Sequence, residues 1–470
     1  MRINAVQSRF GRATVLRVAP VIGLVCGLSW NGFSQEAKQE PKKSNAPRTV
    51  TRLFWQDNQE QALQCGDVVR DGAEWRIQKQ SIPGLPPLDR DKQSMVQMES
   101  VRGVVVVGVH DNENGAFQSG WIALNPGVDE EEHGNHSHWH FDKSPSVIAS
   151  QLDIHQGNPA HVYEYQGDIY LANDKKNGFT ILSPSTLLKS RSSTGSRFVS
   201  AGGGHITLAA VDNRVCYATW ADRDGDNQGR VDVVSLASSG SLNGYSLRLP
   251  SGGLHGATAN SGKVFFAPSD GICWVEADLN LSRKPSGVEI HHLSLGEDAV
   301  TGKTLRTGAF ANHERSVLFT TGAAEASTLC ILDASLAKPI VTKLAIPVEK
   351  GLSLTTPETI SLGAQGKQYA FLFADRRDSE LAESLHIVDL DPNGDGNYSD
   401  AKLTKSIAVG ASKIEGHNGH HEICFVPKRK LAMLSNPGDG SIWVLSFSDL
   451  EVQAKISVSG TPTRLVSVGG

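Results

Sequence analysis

Short apolar runs alternate with polar turns from Thr49 to the end of the chain, with no convincing amphipathic helix longer than two turns. The clearest unit begins with His161-Val162-Tyr163-Glu164-Tyr165 and a Gln166-Gly167-Asp168 turn. Ile169 to Asn173, a Lys175-Lys176-Asn177-Gly178 turn and Phe179 to Leu182 complete it. This pattern predicts three strands, a, b and c, joined as hairpins, with Asn-Gly as the strongest local signal.

The unit recurs. His205 to Leu236 and His255 to Ala277 repeat a-b-c, and later b strands are predicted at Ser316–Phe319, Tyr369–Phe373 and Lys430–Leu434. Successive histidines lie 44 residues apart from His161 to His205 and 50 apart from His205 to His255. That is the spacing of β-propeller blades. Thr51–Trp55, Ala62–Cys65 and Glu74–Ile77 read as b, c and d strands of a first blade that lacks its a strand. Arg464–Val468 at the far end supplies it, closing the ring and removing sheet edges. The prediction is an all-β propeller over 49–470, of eight blades if an a strand runs near Met95–Met98, with seven as the alternative.

A glycine-rich turn precedes a histidine at several equivalent points: Gly157-Asn158-Pro159-Ala160-His161, Gly202-Gly203-Gly204-His205, Gly252-Gly253-Leu254-His255 and Gly419-His420-His421. Other repeats carry Phe310, Glu358 and Arg464 at the matching point. In a blade the a strand is innermost, so His161, His205 and His255 are predicted to cluster near the axis, with His421 and Glu358 reaching the same funnel from the other side. Asp174, at the end of a b strand, falls beside them. Neutral imidazoles with a carboxylate suit zinc; histidine alone does not separate Zn²⁺ from Cu²⁺ or Ni²⁺. Read structurally, the same histidines are repeat residues capping a water-filled channel.

The segment 129–140 holds four histidines, His133, His136, His138 and His140, beside Asp129 and three glutamates. It is expected as an exposed, mobile loop able to collect Zn²⁺ loosely, or as a plain solvated insertion. The loop 389–400 offers oxygens at alternate positions, an expectation of Ca²⁺, although Lys402 stands where an EF-hand has Glu. Asp222–Asp226 is explained by a hairpin turn.

Composition narrows the setting. The 470 residues carry net charge −5, with no long basic run beyond the N-terminus, which weighs against a nucleic-acid partner. Residues 1–34 read as a secretory signal, with Arg2, Arg9, Arg12 and Arg17 before the apolar Val18–Trp30. That run is shorter than the ~20 residues of a bilayer span, so no membrane span is expected after cleavage. Residues 35–48 read as a disordered polar leader. With Cys26 removed, five cysteines remain, and one disulfide is expected to fit among them. The setting is periplasmic or secreted. Neither a Gly-x-Ser-x-Gly elbow, a phosphate-binding glycine loop nor His-Glu-x-x-His occurs. An enzymatic alternative, a lactonase-like propeller hydrolase, would have to rest on a bound metal; an interaction scaffold is the other.

The chain resembles the periplasmic zinc metallochaperones of the AztD type. The likeness is carried by the His-rich segment leading into the repeats, the Gly-x-Pro-x-His turn at His161, and the turns at His205 and His255, with Gly-Leu-His-Gly at 253–256 the most specific. The resemblance implies a non-enzymatic exported propeller that binds zinc and hands it to the solute-binding protein of a zinc ABC importer. It implies His161, His205, His255 and His421 as ligands, with 133–140 assisting transfer. The acidic 389–400 loop and the polar leader depart from that family.

Overall fold

A computed structural model describes residues 46–134, 136–237, 244–363, 366–375, 382–415 and 420–470. The expected signal segment, most of the leader and Cys26 lie outside them. Eight antiparallel sheets form eight blades. Blade 1 joins Pro462–Val468 to Arg48–Asp57, Ala62–Asp71 and Glu74–Gln80, so the last strand pairs with the first, as expected. Blade 2 (Gln93–Val101, Val104–Asp111, Ser119–Asn125, Ser146–Asp153) settles the count at eight. The a strands of blades 3 to 6 begin at Pro159, Leu208, Ala257 and Ala311; that of blade 8 begins at Ile423. In blade 7 the innermost position is broken into Ser353–Leu354 and Glu358–Ser361, both pairing with Gln368–Asp375.

The ring is held by what lies between blades. Blades 1 and 2 share a core of Phe54, Cys65, Val105 and Val107; blades 4 and 5 share Tyr217, Val233, Val264 and Phe266. Blades 8 and 1 share Met433, Val444, Leu53 and Trp55, which completes the circle. Since each sheet is covered on both faces, its middle strands are continuously apolar, as at Val104–Val107, all fully buried. Each such side chain contributes ~1.5–3 kcal/mol by burial. That continuity is why apolar runs and turn spacing, more than alternation, carried the prediction.

Two expectations are corrected. All five described cysteines are free thiols. Cys65, Cys216, Cys273, Cys330 and Cys424 belong to five different inter-blade cores, so no expected disulfide forms. The segment 129–140 is not an irregular loop: Asp129–His133 pairs with His136–His140 as a two-stranded hairpin. Its strands are polar, so the apolar signature of a strand is missing, and the pairing rests on backbone bonds and cross-strand polar contacts. Among the described residues, no helix is long and apolar enough to cross a membrane.

Candidate functional site

Propeller topology sets which residues meet. The d-to-a and b-to-c connections emerge on one face of the ring, the a-to-b and c-to-d connections on the other. His161, His205 and His255 stand at or just before the starts of the a strands of blades 3, 4 and 5, so they gather on the first face. Gly157 makes the turn before His161 with φ +83°, and a Cβ there would meet the Lys176 Cβ at 2.4 Å. At Gly203 the backbone bridges to Trp220, whose ring would meet a Cβ at 2.2 Å. Glycine lets both turns lie flat against the neighbouring strand.

The three rings form a file. His161 and His205 have ring centroids 4.6 Å apart, and His205 and His255 4.9 Å. Nε2 of His161 is 2.9 Å from Nε2 of His205. Behind His205, Asp174 Oδ2 lies 2.8 Å from Nδ1, and Oδ1 accepts the Ile206 N–H at 3.0 Å. The carboxylate therefore holds the proton on Nδ1 and turns the Nε2 lone pair towards His161. His255 Nδ1 lies 3.0 Å from the Gly308 carbonyl, which again leaves Nε2 as the acceptor nitrogen. Burial, first of all, pushes the His255 pKa below its ordinary 6.5, favouring the neutral ring a metal needs.

These residues border a cavity of about 470 Å³ on the axis, where His161 and His255 face Glu358, His421, Glu422 and Arg464. Arg464 Nη1 pairs with Glu422 Oε2, and Glu422 chiefly raises the Arg464 pKa. Glu358 is open to the water of the cavity but enclosed by protein. Burial, then Glu422 and Glu99, push its pKa from 4.5 to about 8, and Arg464 opposes the rise. Glu99, on the a strand of blade 2, is raised from 4.5 to about 8 by burial first, then by Glu422 and Glu164, with Arg464 again opposing. His421 is 2% exposed and stacks on Phe373 with centroids 5.5 Å apart.

The donor types suit zinc, but among the described residues no three His, Cys, Asp or Glu side chains already converge as a cage. His161 and His205 bring two nitrogens together, and a cage would need a third donor to swing in. The structure thus brings together His161, His205 and His255 with Asp174 behind them, and places Glu358 and His421 on the opposite wall. It does not bring the hairpin there. The hairpin is the c-to-d connection of blade 2, on the other face of the ring, where Lys428 from the a-to-b turn of blade 8 holds it. Lys428 Nζ bonds Glu130 Oε1 at 2.8 Å and Ser137 Oγ at 3.1 Å and lies over the Trp139 ring.

Cross-strand register puts Asp129, Glu131, His133, His138 and His140 on one exposed face of the hairpin; His136 pairs with His133 along the backbone. Glu131 reaches His133 Nε2 at 3.3 Å and His140 Nε2 at 3.1 Å with its two oxygens. In the 389–400 loop, Asp391 accepts the N–H groups of Gly394, Asp395 and Gly396 at 3.0, 3.0 and 2.9 Å. Its shape follows from those bonds.

Sequence reasoning did not single out Glu99, Glu383 or Glu422. Glu422 was the most accessible of the three, since it follows His421 directly. Glu99 lies beyond a bulge between Met95 and Met98 that breaks the repeat register. Glu383 precedes a strand at no repeated spacing.

Fold and site together define an eight-bladed propeller whose axial cavity sets a histidine wall against an acidic one. Among solved structures the chain is similar to AztD of Citrobacter koseri, with 17% identity and a TM-score of 0.60, over 89% of this chain and 98% of that one. The apo form of that protein matches over the same shares with a TM-score of 0.58. A putative 6-phosphogluconolactonase from Bacteroides uniformis is more distant, with 11% identity and a TM-score of 0.44 over 89% and 99% of the chains. No protein-family model and no curated protein matches the chain. The AztD-like resemblance read from the sequence is matched by the fold.

Proposed function

We propose that this chain is an exported zinc carrier, a metallochaperone that holds Zn²⁺ at the axial histidines and passes it to the solute-binding protein of a zinc ABC importer. The observation that carries the reading is the approach of two imidazole Nε2 atoms to 2.9 Å with a carboxylate fixing one of them from behind. Carboxylate-backed histidines are what metal sites use to set tautomer and orientation.

His205 is the fixed ligand, since Asp174 already holds its Nδ1 proton. His161 gives up the Nε2 proton it shares with His205, and His255 turns its Nε2 in as the third donor. A site assembled by such movement loads and unloads by stepwise ligand exchange, as a carrier requires. On the opposite face, Glu131, His133, His138 and His140 form a separate, exposed zinc-collecting surface.

The test is metal content after dialysis against zinc and a weak chelator, for the wild type and for the variant with His161, His205 and His255 changed to Ala. About one zinc per chain attributable to the triad, absent from a folded variant, is expected. Equal zinc in both would remove the triad from the function. Turnover of lactones or esters at a zinc-dependent rate would replace the carrier with an enzyme.

A further inference from the structure

Blade 7 breaks its innermost strand at one point, and the break opens on the axial cavity. Leu354 pairs with Ala374 and Glu358 with Phe371, so residues 355–357 stand opposite 372–373. The inner strand thus carries one extra residue, a bulge, and Pro357 within it has no N–H to give the ladder. Bulges re-aim the side chain that follows them. Here that side chain is Glu358, which lines the cavity of about 470 Å³. Among the described residues its carboxyl accepts no hydrogen bond.

The cavity holds more acid than base. Arg464 is paired with Glu422, which leaves Glu358 without a cation of its own, and Glu99 adds to the same negative field. The rest of the wall offers little that is polar and free. Thr307 Oγ1 donates to the Ala309 carbonyl at 3.1 Å and Thr320 Oγ1 to the Leu354 carbonyl at 3.2 Å. Phe310 and Tyr163, both half-buried, line the same space with ring surface. A bare metal ion finds no cage around Glu358, since among the described residues no three His, Cys, Asp or Glu side chains group to hold one. One carboxyl beside apolar surface instead suits an organic cation, whose charged head meets the carboxylate and whose methylenes lie against the rings. The volume is that of a small-molecule site.

We infer that the axial cavity binds a small primary alkylammonium ion, with Glu358 as its counter-ion and Phe310 and Tyr163 as the apolar surface for its chain. The site stands on its own residues and does not depend on zinc carriage. Burial, Glu422 and Glu99 keep the proton on Glu358 at neutral pH, with Arg464 opposing them. An ammonium head beside the carboxyl reverses that balance. Glu358 then releases its proton to solvent and holds the cation as a carboxylate.

The experiment is isothermal titration of the zinc-free full chain at pH 7, with chelator present, using n-butylammonium, 1-butanol and n-butyrate as probes of one shape and different charge. Butylammonium is expected to bind about 10–100-fold more tightly than either of the others, and Glu358→Gln to weaken it by the same factor. Binding should release about one proton, read from buffers of different ionisation enthalpy. Equal binding of butylammonium and butanol overturns the counter-ion, and undiminished binding by Glu358→Gln does the same. Tighter binding of butyrate assigns the cavity to Arg464 and overturns the site, as does no binding of any probe. Should Glu358→Gln not fold, proton release by the wild type decides, and its absence means that Glu358 does not receive the cation. Zinc retention measured on the same preparation keeps the two readings apart. Butylammonium bound by a protein that retains no zinc upholds this site and overturns the carrier; zinc retained with no butylammonium bound does the reverse.

Discussion

Asp174 and His205 are joined across the boundary of blades 3 and 4, with Oδ2 2.8 Å from Nδ1 and the other oxygen on the Ile206 backbone. One carboxylate thus fixes both the tautomer of the ring and the strand entry that presents it. Asp174→Asn keeps the size and an acceptor for Ile206 but sets an N–H₂ opposite Nδ1. The proton then moves to Nε2, and the lone pair aimed at the metal is lost. Zinc affinity should fall about 10–100-fold, with an unchanged melting temperature of the metal-free protein, measured by chelator competition and thermal melts. Unchanged affinity would mean that His205 is not a ligand.

The hairpin makes a different prediction, because it lies on the opposite face from the triad. Replacing 129–140 with a short turn should leave zinc at the axis at full stoichiometry while removing weaker, exposed binding. Zinc delivery to an acceptor chelator should slow more than axial affinity falls. A loss of axial zinc would mean that the hairpin reaches the cavity.

The histidines were legible in the sequence because blade repetition puts a strand start every few tens of residues, and glycine marks each turn. The closing strand was legible because the first blade lacked an a strand. The acidic wall was not. Glu99 is shifted out of register by the bulge at Met95–Met98, and Glu383 meets His421 only through the return of the chain in the next blade. The 129–140 hairpin escaped because its strands face solvent and carry no apolar pattern.

The crowded carboxylates should make the metal-free protein less stable as pH rises. Glu99 is raised from 4.5 to about 8, first by burial and then by Glu422 and Glu164. Between those values the folded state keeps a proton that the unfolded chain has released. Its contribution is therefore full below pH 4.5 and lost as pH rises through 8. Glu99→Gln cannot ionise, so its melting temperature should match the wild type near pH 4.5 and exceed it progressively to pH 9. A difference independent of pH would dismiss this charge as the cause.

The five thiols predict indifference to reductant. Burial pushes Cys65, Cys273 and Cys330 up to about 12 and raises Cys216 and Cys424 as well. Native protein at pH 8 should not react with a thiol reagent, all five should react after unfolding, and reductant should leave the melting temperature unchanged. A reductant-induced drop would reveal a disulfide.

Arg52 is 1% exposed and pairs through two nitrogens with Asp67, Nε to Oδ1 at 2.7 Å and Nη2 to Oδ2 at 3.0 Å. Its remaining donors reach the carbonyls of Pro126, Gly127, Phe141 and Lys143 at 2.9, 3.1, 2.9 and 2.5 Å. One guanidinium in blade 1 therefore grips both ends of the hairpin segment in blade 2. Arg52→Ala leaves Asp67 buried without its main partner and frees four carbonyls, for a loss of about 3–5 kcal/mol in urea unfolding. The hairpin base should also become open to protease. Changing Asp67→Leu in the same chain removes the stranded charge and should recover part of the loss, but not the protection of the hairpin. If Arg52→Ala costs less than about 1 kcal/mol, the clamp is not what holds that blade boundary.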